Sequence, residues 1–322
     1  MVKPRRFIGL LSISLVAVMG GCQVEPAQKP TTTLTIAAGS ADGVYYSVGK
    51  ALAAAYNRLP GVQARAELGE MSSQNVEKIE TGAADLSFDG AGHAYLAFKH
   101  GTQVDRRPHE RLRAIAVLFS TAVHIAARRG SGIRGVEDFR GKRIAVGSRG
   151  SSTEEASLLV LESYGLNYDS FMPVFPLNRD LATDAREGIL DGFFQFTPLQ
   201  HAVMTEVIGS LDFQLIPITR EKIADIQERS PFLLKSTRIS AGTYRGQTED
   251  VMTVGTDILL LCREDLPDQL VHDLTRTLFA AAPELAAAHP AAAGIDPDRG
   301  PAASIPLHPG AARYYREREL LR

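Results

Sequence analysis

The stretch of sequence that decides the fold is LTIAAGSADGVYYSVGKALAAAYNR, residues 34–58. Its apolar start at 34–37 predicts a buried strand, GSADG at 39–43 predicts a turn, and the apolar spacing of 44–58 predicts a helix. A strand, a glycine turn and a helix start together direct unpaired backbone N–H groups and the positive end of a helix dipole toward one point. The stretch is therefore a candidate anion-binding site.

The same strand-turn-helix plan continues directly after this unit. Residues 62–68 alternate like a strand, and a short helix is predicted at 73–81, before Gly82. A third strand is predicted at 84–89 and a helix around 93–99. A β-α-β-α-β-α order within so short a span predicts a parallel sheet with crossover helices.

A second series of the same kind begins near residue 143. A strand at 143–147 leads through a turn at 148–152 into a helix at 153–164. The helix start carries two overlapping capping-box patterns, Ser151 with Glu154 and Ser152 with Glu155. Further strands are predicted at 174–177, 191–196 and 215–218, with a helix at 179–190 between the first two.

Long apolar segments connect the two series. Residues 113–119 and 123–128 predict two nearly continuous strands that cross between lobes, and 251–263 predicts the return crossing. Two sheets joined by two crossings, with a cleft between them, form a hinged binding architecture. The expected lobes are residues 34–121, completed by 255–322, and residues 122–254.

The N-terminal residues predict an export signal. Lys3, Arg5 and Arg6 precede an apolar run at 7–19, which is too short for a membrane span. Gly20 and Gly21 then precede Cys22, which predicts a lipoprotein signal peptide over 1–21, a lipid-modified Cys22 and a polar tether over 22–33. An ordinary cleaved signal followed by an incidental cysteine is the alternative, since Met19 stands where a lipobox usually has leucine.

Composition excludes several classes of function. The formal net charge is −2 and becomes more negative without the basic leader, and no basic tract with interleaved aromatic residues indicates nucleic-acid binding. Only Cys262 accompanies Cys22, so neither a disulfide framework nor a cysteine metal site is expected. The eight histidines show no HExxH spacing, and no GxSxG or P-loop sequence occurs. A binding protein without cofactor or metal is therefore expected.

Two glycine- and serine-rich turns are the main candidates for ligand contact: GSADGVYY at 39–46 and GSRGSST at 147–153. Each supplies N–H groups and hydroxyls to an anionic or carboxylate ligand, and the carboxyl ends of strands are where open α/β sheets bind ligands. A single turn of this kind commonly caps a helix only. Tyr45 and Tyr46 lie about 100° apart on their helix, so one of them is expected to face the cleft and the other to pack.

Three further polar positions have alternative interpretations. The serines and amides at 72–75 form a polar helix start, which binds ligand or only caps the helix. Gln195 is expected to end a strand and to present its amide to the cleft or to the sheet edge. Arg149 is the cation best placed to pair with a carboxylate, although an exposed arginine is the commoner outcome.

Several motifs together resemble the TAXI family, the extracytoplasmic solute receptors of TRAP (tripartite ATP-independent periplasmic) transporters. They are LTIAAGSADGVYYSVGKALA at 34–53, SSQNVEKIETGAADLSF at 72–88, GKRIAVGSRGSST at 141–153, LDGFFQ at 190–195 and LHPGAARYYRE at 307–317. The resemblance spans residues 34 to about 319. The early GSxxGxYY together with the late LHPGAxxYY is more discriminating than either glycine turn.

The resemblance implies a two-lobed, type II-like periplasmic-binding-protein fold of the α/β class, with two crossing strands and a cleft between the lobes. It implies capture of a small organic carboxylate, such as glutamate or 2-oxoglutarate, and delivery to an ion-coupled TRAP permease, with a lipid anchor at a bacterial membrane through Cys22. The implied ligand contacts are Ser40, Tyr45, Asn75, Ser151, Ser152, Thr153 and Gln195. The alternatives are a receptor of an ABC importer, a sensory ligand-binding protein, and a small-molecule enzyme on the same fold.

Overall fold

The computed structural model describes residues 1, 31–39, 43–69, 74–102, 104–149, 151–177, 179–230 and 234–321. The predicted signal peptide, Cys22 and most of the tether lie outside the described residues, as do Ser40 and the serines at 72 and 73. From Thr31 onward the chain forms one compact unit. None of its described helices has the length and apolarity needed to span a bilayer.

Strands and helices alternate along most of this unit, as the sequence predicts. The strands are β1 Thr32–Ala37, β2 Val62–Glu67, β3 Leu86–Gly90, β4 Leu112–Arg128, β5 Arg143–Ala145, β6 Met172–Val174, β7 Gly192–Pro198, β8 Phe213–Leu215, β9 Lys235–Ile239 and β10 Val251–Arg263. The helices are α1 Val44–Tyr56, α2 Asn75–Thr81, α3 Ala91–His100, α4 Ser152–Ser163, α5 Leu181–Arg186, α6 Ala202–Ser210, α7 Arg220–Arg229, α8 Asp268–Ala280, α9 Ala282–Ala288 and α10 Pro309–Glu317.

The described strands form one mixed sheet in the order β2-β1-β3-β10-β4-β7-β5-β6, with β8 paired to β4 and β9 paired to β10. β1 is parallel to both β2 and β3, as the β-α-β pattern predicts. β5 is likewise parallel to β6 and β7. β10 is antiparallel to both β3 and β4, so it joins the two parallel series.

The two long strands extend through both series. Residues predicted to form two strands form the single strand β4 of 17 residues, whereas the return strand β10 has the predicted bounds. The alternation of apolar and polar residues is weak in β4 because nearly every residue is buried. The sequence of a strand that is buried on both faces is a continuous apolar run. Such a run does not show whether it forms one strand or two.

The predicted bounds of several elements were wrong, and two elements were not predicted. The strand predicted at 215–218 is β8, at Phe213–Leu215, because Pro217 has no N–H with which to extend the ladder. α5 is shorter than predicted because the chain turns at Gly188, which has φ +76°. α7 and β9 were not predicted; α7 has a low mean hydropathy, and β9 is an exposed edge strand.

The described apolar core consists of four clusters that divide along the chain. Two of them, which pack on opposite sides of β3 and β10, draw only on residues 34–119 and 258–315. The other two draw only on residues 122–254. The clusters therefore separate where β4 and β10 pass from one series of strands to the other.

Candidate functional site

The carboxyl ends of strands from the two series point toward the same level of the long strands. β3 ends at Gly90, whose partner is Ile258 of β10, and Ile258 in turn pairs with Phe119 of β4. β7 runs the opposite way and ends at Pro198, opposite Thr121. The helices that follow β3 and β5 therefore begin in the same region, which is where open α/β sheets bind ligands.

Two of the predicted site residues in the first series meet at Phe88. The Tyr45 ring stacks on the Phe88 ring, with centroids 5.5 Å apart and an angle of 11°. The pKa of Tyr45 is raised by burial and by the nearby charge of Asp89. Asn75 is fully buried, and its Nδ2 donates to the Phe88 carbonyl at 3.0 Å. Its Oδ1 has no hydrogen-bond partner within the described residues.

An ion pair that the sequence analysis missed lies beside these residues. Asp89 is 4% exposed at the end of β3, and its Oδ2 lies 2.7 Å from His93 Nδ1 in the first turn of α3. Asp89 Oδ1 also accepts the Gly90 N–H at 2.6 Å. The negative charge of Asp89 raises the pKa of His93 to about 9, against the effect of burial, with smaller contributions from Glu155 and Glu77. His93 is therefore a cation at neutral pH.

The three predicted residues at the start of α4 have different surroundings. Ser151 is the N-cap, and its Oγ accepts the Glu154 N–H at 3.2 Å, which is one of the two hydrogen bonds of the capping box predicted for Ser151 and Glu154. Ser152 is exposed. Thr153 is 4% exposed, and its Oγ1 accepts the Phe196 N–H at 3.2 Å, which joins the start of α4 to β7. Thr153 thus serves the fold, whereas Ser152 is accessible to a ligand.

Arg149, the cation best placed to meet a ligand carboxylate, is exposed and pairs instead with a carboxylate of α4, the helix that follows it. Arg149 Nη1 donates to Glu154 Oε1 at 3.1 Å, and its guanidinium lies 3.6 Å from the centroid of the Phe175 ring. The Tyr168 hydroxyl donates to the same Glu154 oxygen at 3.1 Å. Arg149 is thereby held over the aromatic side chains of the second series.

Glu155, the next residue of α4, carries an electrostatic link between the two series. It is exposed to solvent. Its pKa is nevertheless raised by desolvation and by the charges of Asp89 and Glu154, against the opposing effect of His93. The first turn of α4 therefore lies near the Asp89–His93 pair.

Gln195 lies in the middle of β7 rather than at a strand end, opposite His124 of β4, so the predicted strand end was wrong. Gln195 is 5% exposed, and its backbone carbonyl accepts from His124 Nδ1 at 3.3 Å. The other ring nitrogen of His124 lies 2.7 Å from the Tyr244 hydroxyl. Burial lowers the pKa of His124 to about 4, so it is neutral at physiological pH and organises the interior.

The structure thus collects five of the seven predicted residues in two places, whereas Gln195 lies within β7 and Ser40 is outside the described residues. Tyr45 and Asn75 lie around Phe88, and the serines and threonine of 151–153 begin α4. The charged residues Asp89, His93 and Glu155 lie between these places and were missed, because no local sequence motif relates positions 89 and 155. Among the described residues, no group of three His, Cys, Asp or Glu side chains is arranged to hold a metal ion.

A family model described as the NMT1-like family matches residues 36–318, which is most of the chain. The chain belongs to the NMT1-like family. The match includes β1 and α10 and hence both series of strands. This assignment does not distinguish the TAXI type, to which the sequence motifs are similar, so the TAXI type stays a prediction.

Solved structures show the fold of this NMT1-like protein. A protein from Bordetella bronchiseptica aligns with 17% identity over 90% of this chain and 89% of its own, with a TM-score of 0.51. A Xanthomonas citri protein bound to chloride ion aligns with 12% identity over 88% of this chain and 99% of its own, also at 0.51. The periplasmic aliphatic sulphonate binding protein of Escherichia coli aligns at 0.46, with 16% identity over 88% and 78% of the two chains. The chain has an α/β periplasmic-binding-protein fold.

Proposed function

We propose that this NMT1-like protein is an extracytoplasmic solute receptor of the TAXI type, which captures a small organic carboxylate and delivers it to a TRAP-type ion-coupled permease. The receptor performs no covalent chemistry. The observation that carries the proposal is the convergence of strand carboxyl ends from both series on one level of the long strands.

The residues at this level are suited to hold a carboxylate ligand. The N–H groups at the start of α4 and the Ser152 hydroxyl provide hydrogen-bond donors on one side. On the other side, the protonated His93 is paired with Asp89 through Nδ1, and its second ring N–H is the donor that it can offer to the ligand. Asn75 has a buried amide with an unused oxygen in the described part of the chain, which suits a donor group on the same ligand.

We also propose that the chain closes as two lobes, residues 34–121 completed by 255–322, and residues 122–254. The division of the apolar clusters at 119–122 and 254–258 supports these bounds. Two lobes with separate cores, joined by two continuous strands, are suited to hinge closure around a ligand. A lipid anchor at Cys22, which would place the receptor at the periplasmic side of a bacterial membrane, remains part of the proposal.

A receptor of an ABC importer or a sensory ligand-binding protein is the second candidate, because the fold is common to such proteins. The motifs at 34–53 and 307–317 favour the TAXI type over these. Solute uptake by cells that express the receptor with its permease distinguishes the two transport modes. Uptake through a TRAP system should stop when the ion gradient across the membrane is collapsed. Uptake through an ABC importer should continue under the same conditions as long as ATP is present.

The first test is a thermal-shift screen of the purified chain against dicarboxylates, amino acids, sugars and polyamines. A ligand that binds only the folded state raises the melting temperature. We expect a rise with glutamate or 2-oxoglutarate. A rise only with neutral or cationic solutes would disprove the carboxylate site while leaving a solute receptor.

The serines at the start of α4 give a matched pair of variants. Ser151 caps the helix, so S151A should lower the free energy of unfolding by about 1 kcal/mol. Ser152 is exposed, so S152A should leave stability unchanged and weaken binding of the carboxylate found in the screen, as isothermal titration calorimetry would show. Unchanged affinity in both variants would contradict the placement of the ligand at this helix start.

A further inference from the structure

A cavity of about 650 Å³ has none of the described predicted site residues in its wall. It is formed where β4, β9 and the end of β7 approach the turn at Pro290–Gly294, and its wall includes Ser120, Lys235, Arg238 and Arg299. A second cavity of about 540 Å³ shares Gln200 and Pro290 with it. The first cavity has the size of a small-molecule site.

A charged network forms one side of the larger cavity and is centred on Asp257 of β10. Asp257 Oδ2 accepts from Lys235 Nζ at 2.6 Å. Its Oδ1 accepts from the Ser120 hydroxyl at 2.6 Å and from Arg299 Nη2 at 3.1 Å. Arg299 Nη2 also donates to the Ser120 oxygen at 3.1 Å. Burial raises the pKa of Asp257, but the hydrogen bonds from Lys235 and Ser120 hold it below its ordinary value.

The network has more positive than negative charge. Lys235 and Arg299 share the single carboxylate of Asp257, whereas Arg238 pairs separately with Asp250 at 3.3 Å. One positive charge therefore remains uncompensated among the described groups of the network. Lys235 and Arg299 each have further N–H donors, because an ammonium carries three and a guanidinium five. These donors border the cavity, where an anion with several oxygen atoms would satisfy them.

The network also ties together distant parts of the chain. Ser120 and Asp257 are cross-strand partners in the β4–β10 ladder, and Lys235 is the partner of Gly255 where β9 joins β10. Arg299 comes from the C-terminal segment. Lys235 is thus held by a strand, and Arg299, in a turn, is held by its hydrogen bonds to Ser120 and Asp257. This reduces the conformational entropy that a ligand must remove on binding.

We propose that this cavity is a second ligand site, which binds a small oxyanion between the side chains of Lys235 and Arg299. The anion neutralises the positive charge that Asp257 leaves uncompensated. It also accepts hydrogen bonds from the remaining N–H donors of Lys235 and Arg299. The cavity wall includes Thr121 and Pro198, at the level of the strand ends, but none of the described residues proposed to hold the solute. The two proposals therefore rest on different side chains, and either stands if the other fails.

The test is a titration of the full chain with inorganic phosphate at constant ionic strength, maintained with sodium chloride and followed by isothermal titration calorimetry and by melting temperature. A parallel titration with acetate distinguishes a phosphate-type from a carboxylate-type oxyanion. We expect saturable binding of one of them, and K235Q and R299Q should each weaken it by about tenfold or more. R65Q, which removes an exposed arginine of β2 whose ion-pair partner among the described residues is Glu67, is the matched control and should bind as the wild type does.

D257N provides a result that a purely structural network would not produce. Removal of this carboxylate leaves both cations without their shared partner, so oxyanion affinity should rise in D257N although the network is broken. A D257N protein that is folded, by circular dichroism, but binds more weakly than wild type would overturn the proposal. Absence of saturable binding of both anions by the wild type, or equal affinity in wild type, K235Q and R299Q, would also overturn it.

Discussion

At the scale of single residues, the amide of Asn75 is the clearest case of an incompletely used buried group in the described residues. Replacement by alanine removes the hydrogen bond from Nδ2 to the Phe88 carbonyl and should lower the free energy of unfolding by about 1–3 kcal/mol. If Asn75 Oδ1 accepts a hydrogen bond from the solute, N75A should also weaken solute binding. Chemical denaturation and calorimetric titration measure the two effects separately.

Asn57 is the matched control for this prediction. Both ends of its amide bond to the backbone of Ala64, at 3.0 Å from Nδ2 and 2.6 Å to Oδ1, and it lies at the end of α1. N57A should therefore destabilise the protein and leave the solute affinity unchanged. An N75A protein with wild-type affinity would show that Asn75 only supports β3.

The Asp89–His93 pair makes stability depend on pH. The folded-state pKa of His93 is about 9, above its ordinary value of 6.5, so the pair's stabilisation is complete below pH 6.5 and is lost as pH rises through about 9. The difference in free energy of unfolding between wild type and H93Q should accordingly shrink by on the order of 2 kcal/mol from pH 6 to pH 10. Urea denaturation at a series of pH values measures it.

H100Q is the control for this pH dependence, because His100 is exposed at the end of the same helix. It should retain the wild-type profile. D89N should remove the pH dependence as H93Q does, because it removes the charge that raises the pKa. A wild-type profile parallel to that of H93Q from pH 6 to pH 10 would contradict the ion pair.

At the scale of elements, the turn between β5 and α4 depends on Gly147. Its φ is +90°, and a Cβ at this position would lie 2.7 Å from Thr153 Cβ, so a side chain both strains the backbone and displaces the start of α4. Gly188 also has a positive φ, of +76°, but a Cβ there meets nothing within 4 Å. G188A should cost about 1 kcal/mol, and G147A about 1–3 kcal/mol more.

Thermal unfolding of the two glycine variants isolates the packing part of this effect, since both carry the same kind of backbone strain. G147A should also weaken solute binding, because α4 supplies N–H donors to the proposed site. Equal melting temperatures for G147A and G188A would show that Thr153 adapts without cost.

At the scale of the whole molecule, β4 and β10 make the two halves of the sheet interdependent. Both strands are buried along almost their entire length and pair with each other, and β10 also pairs with β3 of the first series and β4 with β7 of the second. We therefore expect one cooperative unfolding transition for the unit that begins at Thr31, in spite of its separate apolar clusters. Differential scanning calorimetry should give a calorimetric enthalpy equal to the van't Hoff enthalpy. Two resolved peaks would show that the clusters unfold independently.

The sequence alone predicted the repeated strand-turn-helix plan, the bounds of β10 and the capping role of Ser151, because these follow from local periodicity and local hydrogen bonding. It did not predict β9, whose polar residues form a strand only because the edge of β10 is available to pair with them.

The charged residues of the candidate site show the same limit more clearly. Asp89 and His93 lie four residues apart, but the charge of Glu155 reaches them only after β3 and β5 have been placed in one sheet by the long strands. Similarly, Ser120, Lys235, Asp257 and Arg299 form a network only through cross-strand register. Local periodicity therefore determined the elements of this protein, whereas the tertiary structure decided which side chains meet, because electrostatic contacts depend on distance in space and not on separation along the chain.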